Sequence, residues 1–195
     1  MYNEDIINRV EITGRIVGNT ERPDGSRYIT LYSTSGKKET YPSFVCPREK
    51  YKEIKMHTRV LVIGHVVSYI QKKDNKNIRV QRIIADSICP DKTLTEEIFG
   101  VKGKFYEPFK SNYYAKGIVT KIIDDNDYLQ YIVSVPEGER NRTVLLRMKK
   151  PDRLPPIKKG SVACFVCNIM AKQKIKNENT NYFQDFIVQD TAPVN

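Results

Sequence analysis

Apolar and polar residues alternate with period two along most of the chain, the pattern of strands buried on one face. The clearest run is Arg9-Val10-Glu11-Ile12-Thr13-Gly14-Arg15-Ile16-Val17. Pro23-Asp24-Gly25 is a turn signal, and Arg27-Tyr28-Ile29-Thr30-Leu31-Tyr32 reads as the returning strand. Residues 40–46 form a third strand, in which Pro42 predicts an edge or a bulge. Pro47 opens residues 48–54, predicted as a short helix. Residues 59–67 and 78–87 are two further strands on either side of a polar turn at Asp74-Asn75-Lys76-Asn77. Five strands with a helix between the third and fourth is the pattern of an OB-fold, a small Greek-key barrel.

The order then repeats. Gly117 stands 103 residues after Gly14, Tyr131-Ile132 stands 103 after Tyr28-Ile29, and Thr143 stands 103 after Thr40. Val162 follows Val60 by 102, and Gln189-Asp190 follows Ala85-Asp86 by 104. Near-constant spacing of this kind indicates a duplicated unit. Where the first copy has its helix, the second has Pro151, Pro155 and Pro156, so a loop is predicted. The fold class expected is all-β: one OB-fold over 1–89, an ordered connector over 90–111, and a second OB-fold over 112–195. Phe99, Phe105, Tyr106 and Phe109 give the connector apolar surface to pack.

Charge narrows the partners. The 195 residues carry a net +10, divided as +4 over 1–100 and +6 over 101–195. Both copies are basic, which suits a folded polyanion-binding body rather than a basic arm. No apolar run approaches the roughly 20 residues of a membrane span. The acidic, polar start is unlike a signal peptide, so a cytoplasmic protein is expected. Cys164 and Cys167 form a CxxC, yet on a strand these positions point to opposite faces and read as small core residues. Asp124-Asp125-Asn126-Asp127 reads as a solvated hairpin tip. With His57 and His65 the only histidines and no nucleotide, hydrolase or zinc-protease motif, neither a cofactor nor an enzymatic activity is expected.

Asn8-Arg9-Val10-Glu11-Ile12-Thr13-Gly14-Arg15-Ile16 resembles the opening strand of bacterial single-stranded-DNA-binding proteins, Asn-Arg-Val-x-Leu-x-Gly-Arg-Leu. Thr58-Arg59-Val60-Leu61-Val62-Ile63-Gly64-His65-Val66 is similar to that family's fourth strand, and Thr40-Tyr41-Pro42-Ser43-Phe44 sits where the family has a Thr-x-Phe/Trp segment. The resemblance covers roughly residues 6–88. It implies non-enzymatic, largely sequence-independent binding of single-stranded DNA, by stacking of bases on aromatic rings and Lys/Arg contacts to phosphates. It also implies four OB-folds per assembly, as a tetramer of singles or a dimer of doubles, which suggests a homodimer here, whereas a monomer suffices if the two copies pack on each other. It further implies a setting in replication or recombination with proteins of those processes as partners. This chain has no tryptophan, and nothing like the family's acidic tip stands in its closing residues. That departure points to a specialised member serving a mobile element.

Strand alternation supplies the candidate contacts. In the first copy these are Arg9, Arg15, Tyr28, Tyr32, Tyr41, Phe44, Tyr69, Lys72, Lys73 and Arg79. In the second they are Tyr113, Lys116, Tyr131, Arg147, Lys149, Lys172, Lys174 and Lys176. The every-other spacing of the last three suits tracking of a phosphate backbone. Two other readings stay open, an RNA-binding protein on the same fold and a protein-interaction adaptor in a replication or conjugation complex.

Overall fold

The computed structural model describes residues 7–35, 38–73, 75–91, 109–137, 140–150, 155–176 and 179–194. Eleven strands run in chain order as β1 Ile7–Glu21, β2 Arg27–Ser35, β3 Lys38–Thr40, β4 Ser43–Cys46, β5 Arg59–Lys73, β6 Lys76–Pro90, β7 Ser111–Asp124, β8 Tyr128–Glu137, β9 Arg140–Lys149, β10 Val162–Lys176 and β11 Asn179–Pro193. β1 pairs with both β2 and β5, β5 with β6, β6 with β4 in parallel, and β4 with β2, which closes a barrel. β7, β8, β9, β11 and β10 close a second barrel by the same circuit, again with one parallel pair, β11 with β9. Two OB-type barrels are what the period-two runs predict.

Alternation decides which residues fill them. Val10 and Ile12 of β1, Val60, Val62 and Val66 of β5, and Phe165, Cys167 and Ile169 of β10 are buried, while Glu11, Leu61, Ile63, His65, Val166 and Asn168 between them are half-buried or exposed. Glycine is required where β1 crosses close to β2. A Cβ on Gly14 would lie 2.5 Å from the Tyr32 carbonyl oxygen, and one on Gly117 would lie 2.1 Å from that of Ser134. The repeated glycine therefore marks a repeated close approach of two backbones.

The predicted helix over 48–54 is a single 3-10 turn, Arg48–Lys50. Tyr51 is already extended, at φ −74° and ψ 123°. Its hydroxyl accepts a hydrogen bond from Asn19 Nδ2 at 2.9 Å, and Arg27 lies over its ring at 5.1 Å. A seven-residue helix has little stability of its own, and these contacts hold Tyr51 instead. The predicted third strand is split at Tyr41 and Pro42 into β3 and β4, as a proline without an N–H to donate requires. β5 runs on to Lys73, so Tyr69, Lys72 and Lys73 belong to a strand arm and not to a loop.

The two barrels are joined edge to edge. β1 pairs antiparallel with β7, from Ile7 opposite Lys116 to Ile12 opposite Ser111. Val10 lies opposite Tyr113, its own counterpart 103 residues later, so the ladder maps onto itself when the barrels are exchanged. The chain thus has an internal pseudo-twofold axis. Side chains close the seam by the same symmetry. Gln81 of β6 donates from Nε2 to the Leu145 carbonyl at 3.1 Å, and its Oε1 accepts the Leu145 N–H. Gln184 of β11 makes the same pair of bonds to Ser43, at 2.7 and 2.9 Å. Core residues of both barrels form one hydrophobic cluster.

Most of the expected connector, residues 92–108, lies outside the described residues. Arg59 grips both of its flanks. Its Nε is 2.7 Å from Asp91 in a pair that is nearly buried on both sides, and its guanidinium lies 4.7 Å over the Phe109 ring. The loop predicted at residues 151–156 is described only at Pro155 and Pro156, which lie outside any strand.

Candidate nucleic-acid interface

The strand ladders give an exact residue correspondence between the barrels. β1, β5 and β6 map onto β7, β10 and β11 at an offset of 103, bulges included: the irregularity at Ile63/Gly64 recurs at Val166/Cys167. β2 and β4 map onto β8 and β9 at 102, because Thr30 opposite Ser43 becomes Ile132 opposite Leu145. The cause is the first hairpin. Five residues, 22–26, lie between the paired Glu21 and Arg27, and four, 125–128, between the matching pair Asp124 and Leu129, which sets β8 one residue earlier relative to β7. A one-residue slip moves every side chain of a strand to the other face.

That slip corrects one expected contact. Tyr131 is the counterpart of the core residue Ile29 and not of Tyr28, and it is buried against Phe165 at 5.3 Å between ring centroids. Tyr113 is the counterpart of Val10 and is buried too, 4.9 Å from Phe186, with its hydroxyl donating to Asn8 Oδ1 at 3.0 Å. Burial raises both phenol pKa values, that of Tyr113 strongly. Phe44, the counterpart of Leu146, is likewise core. None of these three rings offers a face to a base.

Tyr28, Tyr32, Tyr41 and Tyr69 are half-buried on the first barrel. Tyr32 and Tyr41 meet edge-on with ring centroids 5.8 Å apart, and Phe109 packs against Tyr32 at 5.9 Å. Arg82 lies over the Tyr69 ring at 5.6 Å. Tyr28 opens onto a cleft of about 680 Å³ at the seam, with Arg22, Arg79 and Arg82 from the first barrel and Arg147 and Asp185 from the second. Sequence reasoning did not find this cleft, since it exists only once β1 has paired with β7.

The cleft arginines differ in their commitments. Arg79 donates to the Thr143 carbonyl at 2.8 Å, to Thr143 Oγ1 at 2.6 Å and to Ser68 Oγ at 3.2 Å, and so serves to tie the barrels together. Arg147 pairs with Asp185 at 3.2 Å. Arg22 makes one long contact to Asp24 at 3.7 Å and one to Ser26 at 3.4 Å, which leaves most of its five donors for a ligand. Asp24 itself is held below its usual pKa, chiefly by the Ser26 hydroxyl and N–H.

The remaining candidates are dispersed. Arg9 is exposed and Lys116 half-buried on a different wall, the six-stranded sheet β6-β5-β1-β7-β10-β11. Arg15 Nη1 donates to the His57 carbonyl at 3.4 Å. Lys149 is exposed at the end of β9, opposite Tyr128, and Lys72 is exposed on the β5 arm. Lys172, Lys174 and Lys176 lie within β10, which supplies the strand that their spacing presupposes; their side chains and that of Lys73 fall outside the described residues. Cys164 is half-buried and Cys167 buried on opposite sides of β10, and burial pushes the Cys167 thiol well up. Among the described residues no three His, Cys, Asp or Glu side chains converge as metal ligands, and no helix is long and apolar enough to cross a membrane.

No protein-family model matches the chain, and no curated protein is similar to it in sequence. Solved structures are similar. The wild-type single-stranded DNA binding protein of Thermus aquaticus superposes with a TM-score of 0.61 over 97% of this chain and 94% of its own, at 12% identity. A deletion mutant of that protein gives the same score and identity, over 95% of its length. The likeness is one of fold, and it extends over both barrels.

Proposed function

We propose that the protein binds single-stranded DNA, largely without regard to sequence and without catalysis. The observation that carries this reading is a side-chain set on a fold shared with a single-stranded DNA binding protein: Tyr28 and Tyr69 beside Arg22 and Arg82, next to a cleft open to solvent. Rings stack on bases of any identity, at roughly 1–3 kcal/mol per base, and arginines neutralise phosphates. A net charge of +10 adds attraction at a distance.

The test is fluorescence anisotropy with labelled dT and rU oligonucleotides of about 30 nucleotides, and with a duplex, across a salt series. Tight binding of dT, little of duplex, and a log–log salt slope of about −0.7 per phosphate contact supports the reading. Preference for rU would replace DNA by RNA. Indifference to all three would leave the adaptor reading.

A homodimer is part of the proposal. The outer face of the six-stranded wall carries Leu61, Ile63 and Val67 of β5, Tyr114 of β7 and Val166 of β10, none of them buried within the chain. Sedimentation equilibrium at twice the chain mass, reduced to one by Ile63→Glu, is the expected outcome. Service to replication, recombination or transfer of a mobile element, in the cytoplasm and beside the proteins of those processes, goes with single-strand binding.

A further inference from the structure

The seam cleft lies astride the pseudo-twofold. Gln81 and Gln184 are mates at the offset of 103, as are Arg82 and Asp185, and all four line it. One position is therefore a cation on the first barrel and an anion on the second. Arg22, Arg79, Arg82 and Arg147 line the cleft, and among its described lining Asp185 is the only carboxylate. Asp185 pairs with Arg147. Both contacts are made by Nη1, at 3.2 Å to Oδ1 and 3.3 Å to Oδ2. The parallel two-nitrogen grip, by which a guanidinium holds a carboxylate most firmly, is not formed. Arg147 Nε is buried with no hydrogen-bond partner among the described residues. The two side chains are 40% and 28% exposed, and an ion pair so open to water contributes little to stability. The second barrel thus commits its one arginine of the cleft lining to a weak internal partner.

We infer that Asp185 restrains binding at the cleft: its carboxylate holds Arg147 as a phosphate of the strand would, and competes with that phosphate. This deepens the single-strand reading above and rests on it. A carboxylate and a phosphate ask the same of a guanidinium, a charge-assisted hydrogen bond. With Nε buried, the Nη groups are what Arg147 can offer a ligand. Asp185 occupies one of them and neutralises the charge. A strand entering the cleft meets an arginine already paired and a carboxylate of its own sign, and both oppose binding. When the strand leaves, the carboxylate takes Arg147 back, which speeds release. Asparagine at this position keeps the shape, and its amide oxygen still accepts from Arg147, so Asp185→Asn removes the charge and leaves the packing.

The experiment uses the full chain and labelled dT of about 10 nucleotides, read by anisotropy across a salt series and by stopped-flow dissociation. Asp185→Asn is expected to tighten binding at least threefold, chiefly by slower release, and to steepen the log–log salt slope by about 0.7, one further phosphate. Asp190→Asn makes the same change of charge on the exposed continuation of β11. It stands roughly 16 Å away at a strand's rise per residue, beyond the screening length of about 8 Å at physiological salt, and is expected to change affinity less than twofold. In Arg147→Ala/Asp185→Asn the salt slope is expected to return to that of the unaltered chain. Unchanged thermal transitions show that the variants are folded; should Asp185→Asn not fold, Asp185→Ser makes the same comparison. Affinity unchanged or weakened by Asp185→Asn, an equal gain from Asp190→Asn, or a gain with no change of slope overturns the inference while leaving single-strand binding intact. Absence of dT binding by both the unaltered chain and Asp185→Asn overturns both.

Discussion

Asn8 is the second residue of β1 and touches both barrels. Its Nδ2 donates to the Val66 carbonyl at 3.0 Å in its own barrel and to the Pro136 carbonyl at 3.1 Å in the other. Its Oδ1 accepts the Val66 N–H at 3.0 Å and the Tyr113 hydroxyl at 3.0 Å. Its mate under the pseudo-twofold, Ser111, makes one bond, from Oγ to the Ile169 carbonyl at 3.1 Å. A typical internal hydrogen bond contributes about 1 kcal/mol net. Asn8→Ala is therefore expected to cost about 4 kcal/mol, and Ser111→Ala about 1. For a chain of this size each kcal/mol lowers the melting temperature by about 2–4 °C, which gives drops of about 8–16 °C and about 2–4 °C. Calorimetry or urea denaturation of the three proteins, at one pH and salt concentration, makes the comparison. Should Asn8→Ala lose no more stability than Ser111→Ala, the hydrogen bonds at Asn8 are not what holds β1 in place, and the structural account of the Asn-Arg-Val motif fails.

Gln184→Ala removes two seam hydrogen bonds to Ser43 and is expected to cost about 1–3 kcal/mol in urea denaturation, with single-strand affinity little changed. Gly117→Ala places a methyl group 2.1 Å from the Ser134 carbonyl oxygen and is expected to lower stability by about 1–3 kcal/mol or more, read as a lower melting temperature. Alkaline pH is expected to destabilise the fold. Burial raises the Tyr113 phenol and the Cys167 thiol above their ordinary values of 10.0 and 9.0, so above about pH 9 the unfolded chain releases protons that the folded chain keeps. Urea midpoints should hold level below pH 9 and fall from there upward, and Cys167→Ala with Tyr113→Phe should flatten the fall.

The barrels were legible because Val10, Ile12, Ile16, Ile29 and Leu31, apolar members of the alternation over 9–17 and 27–32, are all buried, and because a duplicated glycine at 14 and 117 reports a duplicated crossing of strands. The helix over 48–54 was misread because local propensity there is weak, and Tyr51 is claimed by Asn19 and Arg27 from strands distant in sequence. Tyr113 as core was within reach: the spacing of Gly14 and Gly117 already makes it the mate of Val10. Tyr131 was harder, because a turn shortened by one residue changes the offset from 103 to 102, and a single residue reverses the face on a strand. The cleft had no sequence signal. Arg22, Arg82, Arg147 and Asp185 are brought together by the β1–β7 ladder, and nothing in an isolated strand states which other edge it will meet.

A ladder that maps onto itself under exchange of its strands does not distinguish which chain supplies the second one. β1 of one molecule can meet β7 of another in the register it uses at home, with Val10 opposite Tyr113. Two chains can then trade barrels and bury the same core and the same glutamine clasps. What favours the closed form is tethering, which holds the internal partner at an effective concentration in the millimolar range for a short linker. Prolonged storage at high concentration is where exchanged pairs would accumulate, locked by the slow reopening of an extensive seam.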